Sequence, residues 1–86
     1  MEFKPEVEEK IKPLLEKFKE EMKKEGFSEA FIEKAINRAK KYVFTLSSYL
    51  DSANPELVAK AQVEMMPEAL EHSKRWMRAF KEAVGG

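Results

Sequence analysis

The sequence contains a single histidine, His72, and its spacing from two glutamates could serve metal binding. Glu64, Glu68 and His72 lie four residues apart, so a continuous helix would place all three on one face. A metal site in a helical bundle uses such a row together with ligands from a facing helix. The alternative is a solvent-facing acid–histidine pair. Because Pro67 interrupts the row, we predict that pair and no metal site.

Other residue types that carry out catalysis lack the partners they need. Ser47, Ser48 and Ser52 have no histidine near them in sequence and no glycine-rich elbow around them. The chain has no cysteine, which excludes thiolate nucleophiles, and Gly26 is the only glycine before the C-terminal pair. We therefore predict that the chain is not an enzyme, has no catalytic residue and binds no cofactor. No small-molecule substrate is evident.

The distribution of charge is more informative than its total. Lys and Arg number 16, as do Asp and Glu, but residues 34–50 contain four cations and no acid. Basic residues on two helical faces could contact a phosphate backbone, which predicts DNA as a partner. The residues in question are Lys34, Arg38, Lys41, Lys74, Arg75 and Arg78. The alternative is that these cations complement helix dipoles and pair with the acidic residues of a third helix.

Apolar residues at helical spacing predict an all-α fold. We expect one domain over residues 1–86, an antiparallel four-helix bundle with helices at about 5–25, 29–50, 55–65 and 67–84. Pro67 disfavours helical geometry at Met66, which predicts the break before the fourth helix. The exposed Pro13 is expected to kink the first helix without ending it.

Local signals at the predicted helix ends support these boundaries. Pro5 suits a first helical position, and Gly26 suits a left-handed residue after the first helix. Ser28 is predicted to cap the second helix. A turn over residues 51–55 is expected next, with Asn54 as the cap and Pro55 as the first residue of the third helix.

The second half of helix 2 predicts an interface with another protein. Residues 42–50 carry no charge, and Leu46 and Leu50 continue the core stripe. Phe44 lies outside that stripe, and Tyr42 and Tyr49 widen the apolar surface. An exposed aromatic patch marks interfaces, so Tyr42, Phe44 and Tyr49 predict a homodimer or a contact with another protein. The alternative is that helix 2 is central and Phe44 packs beneath helix 3 or 4.

Two segments of the chain share a pattern with a known family of DNA-binding domains. A helix, a Gly26-x-Ser28 turn and a second helix lead into Ala39-Lys40-Lys41-Tyr42, and Arg75-Trp76-Met77-Arg78 lies in the last helix. This pattern covers most of the chain and resembles the N-terminal core-binding domain of tyrosine recombinases. The resemblance implies a four-helix clamp on DNA without catalytic residues. By position, it also implies that the six basic residues contact the DNA backbone.

The remaining expectations concern location. The charged N-terminal residues contain no apolar core of a secretory signal, and no apolar run approaches the ~20 residues of a membrane span. Together with the lack of cysteine, this predicts a cytoplasmic protein with no membrane contact. The abundance of Lys and Glu is typical of thermophile proteins.

Overall fold

The computed structural model describes residues 2–50 and 54–85. Over these residues the chain forms three α-helices and no strand, which confirms the all-α prediction. Helix α1 spans Pro5–Lys24, α2 spans Glu29–Ser47 and α3 spans Pro55–Ala83.

The three helices alternate in direction. Ion pairs Lys40–Glu8 and Lys19–Glu33 join opposite ends of α1 and α2, so these two helices are antiparallel. Phe31 near the start of α2 packs on Phe80 near the end of α3, so these two helices are also antiparallel. The result is an up-down-up bundle of three helices.

The turn and capping roles predicted for Gly26, Ser28, Asn54 and Pro55 are confirmed. Gly26 has a φ of +94°, and the Ser28 side chain accepts a hydrogen bond from the Phe31 amide at 3.2 Å. Asn54 caps α3 by accepting from the Leu57 amide at 3.3 Å, and Pro55 is the first residue of α3. The rest of the predicted turn, residues 51–53, lies outside the described residues.

The prediction of four helices was wrong, because α3 continues through Pro67. A proline inside a helix costs roughly 3 kcal/mol through a lost hydrogen bond and a steric clash. Here Pro67 is exposed, while Met66, Ala69 and Leu70 around it are buried in the core. The free energy gained by burying these side chains on both sides of Pro67 exceeds the cost of a proline inside the helix. Pro13 is accommodated inside α1 in the same way, so the expectation that it does not end that helix is confirmed.

Helix α2 ends at Ser47, three residues before the predicted end at Leu50. The Ser47 hydroxyl donates to the Phe44 carbonyl at 2.9 Å, and the Ser48 hydroxyl donates to the Thr45 carbonyl at 2.6 Å. Serine side chains that bond to backbone carbonyls compete with helix continuation. These two serines therefore favour the end of the helix at this point.

The core combines one apolar face from each helix. Its most deeply buried side chains are those of Val7, Ile11, Met22, Ile32, Val43, Met66 and Met77. One polar contact crosses the interior, where the buried Gln62 amide donates to the Ser47 hydroxyl at 3.0 Å. Leu46 and Leu50, which the sequence predicts as core residues, are each 38% exposed. Three helices cover less of α2 than the expected four would.

Candidate interaction surface

A groove of about 280 Å³ lies between the second half of α2 and the middle of α3. Ala69 is buried and Met65 is half-buried, so they form the apolar base between the two helices. We call this surface the α2/α3 groove. It is lined by Tyr42, Leu46, Met65, Glu68, Ala69, His72 and Arg75.

The α2 side of the groove is apolar and solvent-exposed. Tyr42 and Leu46 lie four residues apart on one face of α2, and Tyr49 follows three residues later in the turn after this helix. Tyr42 is 56% exposed and Tyr49 is 82% exposed. No described residue covers this face, and it continues directly from the core face of the same helix.

Phe44, which the sequence groups with Tyr42 and Tyr49, lies elsewhere. Two helical residues turn about 200°, so Phe44 lies on nearly the opposite side of α2 from Tyr42. Its half-buried ring stacks on the ring of Phe3, with centroids 6.1 Å apart and planes 21° apart. Phe3 is itself buried against the core. The structure therefore places Phe44 under the N-terminal segment, neither in the exposed patch nor beneath a later helix.

Two of the six basic residues singled out in the sequence face α1 and are ion-paired there. The Lys74 ammonium donates to Glu21 at 2.7 Å and to Glu71 at 2.8 Å, and these carboxylates raise the pKa of Lys74. Arg78 donates two hydrogen bonds to Glu25, and this contact holds the pKa of that carboxyl below its usual value. These cations are neutralised mainly by α1, not by the acidic part of α3.

The other four basic residues lie on exposed positions of α2 and α3. Among the described residues, none of the four lies within 4.0 Å of a carboxylate oxygen. They are Lys34, Arg38, Lys41 and Arg75, which we call the unpaired cations. The Arg38 guanidinium lies 5.6 Å from the ring centroid of Trp76. Arg75 lines the α2/α3 groove, whereas Lys41 lines a separate cavity beside Phe3 and Phe44.

An aromatic cluster joins the start of α2 to the end of α3. The Phe31 ring lies 5.7 Å from Phe27, 5.7 Å from Trp76 and 5.5 Å from Phe80, measured between centroids. Trp76 is half-buried and Phe80 is 52% exposed. Trp76 and Phe80 lie four residues apart on one face of α3, so both reach the Phe31 ring.

The residues considered for chemistry are not assembled into a site. Glu64, Glu68 and His72 are all exposed on the continuous α3. Over residues 2–50 and 54–85, no three His, Cys, Asp or Glu side chains are grouped closely enough to hold a metal ion. Ser47 is buried and bonded to the Phe44 carbonyl and to Gln62, which leaves no base beside it.

None of the helices described is both long enough and apolar enough to cross a bilayer. Comparison of the chain with protein-family models, curated proteins and solved structures finds no match in any of the three.

Proposed function

We propose that this chain is a non-enzymatic protein-binding module whose binding surface is the α2/α3 groove. One observation carries the proposal. Tyr42 and Leu46 are apolar, solvent-exposed and adjacent to a concave surface between two helices. Contiguous apolar surface beside a groove is typical of protein interfaces, where aromatic side chains supply much of the binding free energy.

The position of these residues distinguishes them from isolated apolar side chains on the surface. Val84 is 67% exposed, but it lies one residue beyond the end of α3 and is the cap of that helix. Tyr42 and Leu46 instead form a row on one face of α2, and Tyr49 continues it in the turn after the helix. A row at helical spacing offers a partner several anchoring points on one face.

Selection of helical peptides from a displayed library tests this proposal. Peptides selected on the wild-type protein should lose binding to Leu46→Glu, because the new carboxylate lies in the groove. They should retain binding to Val84→Glu, which makes a matched apolar-to-acid change outside the groove. Selected peptides that bind both variants equally, or a selection that yields no binder, would contradict the proposal.

The sequence also predicts a second copy of the chain as the partner. Sedimentation velocity over a range of protein concentrations tests this prediction. A homodimer built on the groove should dissociate in Leu46→Glu and persist in Val84→Glu. Wild-type protein that sediments as a monomer at the highest concentration would exclude the homodimer and leave binding to another protein in place.

The unpaired cations support a second candidate function, association with DNA. Exposed Lys and Arg side chains without carboxylate partners can bind DNA phosphates, and this binding releases the counterions that surround the DNA. The candidate predicts electrophoretic retardation of DNA that weakens steeply with salt. Arg38→Ala combined with Arg75→Ala should reduce the retardation, whereas Lys74→Ala, at a paired position, should change it less. No retardation at low salt would eliminate this candidate.

A further inference from the structure

We propose that the α2/α3 groove binds an amphipathic α-helix of a partner protein, with acidic residues along the flank that faces α2. This inference rests on the proposed protein-binding function and specifies its partner. Two features of the described surface support it, the shape of the groove and the imbalance of charge beside it.

The shape of the groove fits a helix. Two antiparallel helices that pack side by side leave a channel parallel to their axes, and a further helix can fill it as in a four-helix bundle. Leu46, Met65 and Ala69 line the groove between the two helices. Tyr42 in α2 and Tyr49 in the turn after it extend the apolar surface over about two helical turns. Apolar residues at i, i+3 or i+4, and i+7 of a partner helix would match this length.

The charges beside the groove call for an acidic partner. Between Lys34 and Leu50 the chain contains no acidic residue. Lys34 and Arg38 precede Tyr42 at spacings of four residues, so they continue the α2 side of the groove toward the start of that helix, whereas Lys41 lines the cavity beside Phe44 on the opposite flank. Asp or Glu at the same spacing on a docked helix that extends past Tyr42 would lie opposite Lys34 and Arg38. Complementary charge of this kind selects the partner and sets its register.

A second copy of the chain fits the groove poorly, because it would repeat the same imbalance. Any two-fold contact brings the same surface from both copies into one interface. Near the groove each copy contributes three unpaired cations, Lys34, Arg38 and Arg75, and one carboxylate, Glu68. The shared interface would then hold an excess of cations over acids. Like charges facing each other disfavour that complex.

A phosphate polymer also matches the surface less well than an acidic helix does. Lys74 and Arg78, which would extend a phosphate-binding row onto α3, are already paired with α1. Glu68 lines the α3 side of the groove and repels phosphate there, whereas a partner helix can carry its acidic residues on the α2 side alone. The aliphatic side chain of Leu46 gains nothing from a phosphate backbone, whereas it packs well against an apolar helix face.

Two matched synthetic peptides test the inference. Both carry leucines at i, i+3, i+4 and i+7, and one flank holds glutamates in the first peptide and lysines in the second. Fluorescence anisotropy at low and high salt measures their dissociation constants. We expect the glutamate peptide to bind about tenfold more tightly at low salt, since two or three rim ion pairs each contribute about two- to fourfold. High salt should reduce that preference.

Protein variants distinguish the contribution of the charged residues to peptide binding from that of the apolar groove. The double variant Lys34→Glu with Arg38→Glu should reverse the preference toward the lysine peptide, a result that simple unfolding cannot give. Lys17→Glu, an exposed position of α1, is the matched control and should leave the preference unchanged. Leu46→Glu should weaken the binding of both peptides. Thermal unfolding followed by circular dichroism verifies that each variant is folded.

The outcomes distinguish this inference from the proposed function. Equal binding of both peptides that is lost in Leu46→Glu would overturn the acidic partner and retain the protein-binding groove. A wild-type dimer that Leu46→Glu dissociates would overturn it in favour of a second copy. DNA binding that depends on Arg38 but not on Leu46, without peptide binding, would overturn both. Preference for glutamate that the double variant reverses would establish the acidic helix as the ligand class.

Discussion

The contact between Phe3 and Phe44 gives a quantitative test of the structure. Phe44 is half-buried and stacks on the buried Phe3. Truncating a fully buried Phe to Ala costs about 3–5 kcal/mol, so Phe44→Ala should lower the free energy of unfolding by roughly half of that, about 2 kcal/mol. Phe3→Ala should cost about 3 kcal/mol. Tyr49→Ala, an aromatic position of α2 that is 82% exposed, is the control and should change stability by less than about 0.5 kcal/mol.

A double-mutant cycle isolates the stacking contact itself. Urea unfolding followed by circular dichroism gives the free energy of unfolding for the wild type, both single variants and the double variant. An aromatic pair contributes about 0.5–1.5 kcal/mol beyond area burial, so the two losses should fall short of additivity by that amount. Additive losses would refute the contact. Equally small losses in the free energy of unfolding for Phe44→Ala and Tyr49→Ala would indicate that Phe44 lies in the exposed patch that the sequence predicts.

Three further predictions concern α3 and its contacts. Pro67→Ala should raise the free energy of unfolding by about 1–3 kcal/mol in urea titrations, and no gain would indicate a real break in α3. Ser47→Ala should cost about 1–3 kcal/mol by leaving the Gln62 amide unpaired, and adding Gln62→Leu should recover most of that loss in the same assay. The lowered pKa of Glu25 contributes stability above its ordinary value of 4.5, which is lost as pH falls through the lowered folded pKa. Arg78→Gln should therefore flatten the acid side of the pH–stability profile, and an unchanged profile would contradict the pairing.

Local signals in the sequence predicted the helix starts better than the helix ends. Ser28 and Asn54 cap their helices as expected, because the capping hydrogen bond is made within three residues of the cap. The effect of Pro67 depended on tertiary packing, since burial of Met66 and Leu70 on its two sides keeps the helix continuous. Phe3, which precedes α1, could have been paired with Phe44 only with knowledge of how the segment before α1 folds back.

The candidate surface was partly predictable, because the uncharged second half of α2 left two alternatives, a central buried helix or an exposed apolar patch. Tyr42 and Tyr49 were expected on an exposed patch and lie on one. Met65 and His72 were not connected to it, since their approach to α2 requires the antiparallel packing of α3. Whether a protein or a nucleic acid binds there stays a prediction, because cations and aromatic residues serve both kinds of partner.

The six basic residues show why a helical pattern alone cannot assign partners to charges. Lys74 and Arg75 are adjacent, about 100° apart around α3, and they reach different neighbours. Lys74 meets Glu21 of α1, whereas Arg75 lines the groove beside α2. A three-helix bundle can wind in either hand with the same buried faces, and the hand decides which flank of α3 lies along α1. In the opposite hand Lys74 would lie along α2, where residues 34–50 offer no acid. The carboxylate of Glu21 therefore favours the observed hand, and that choice leaves Arg75 on the proposed binding surface.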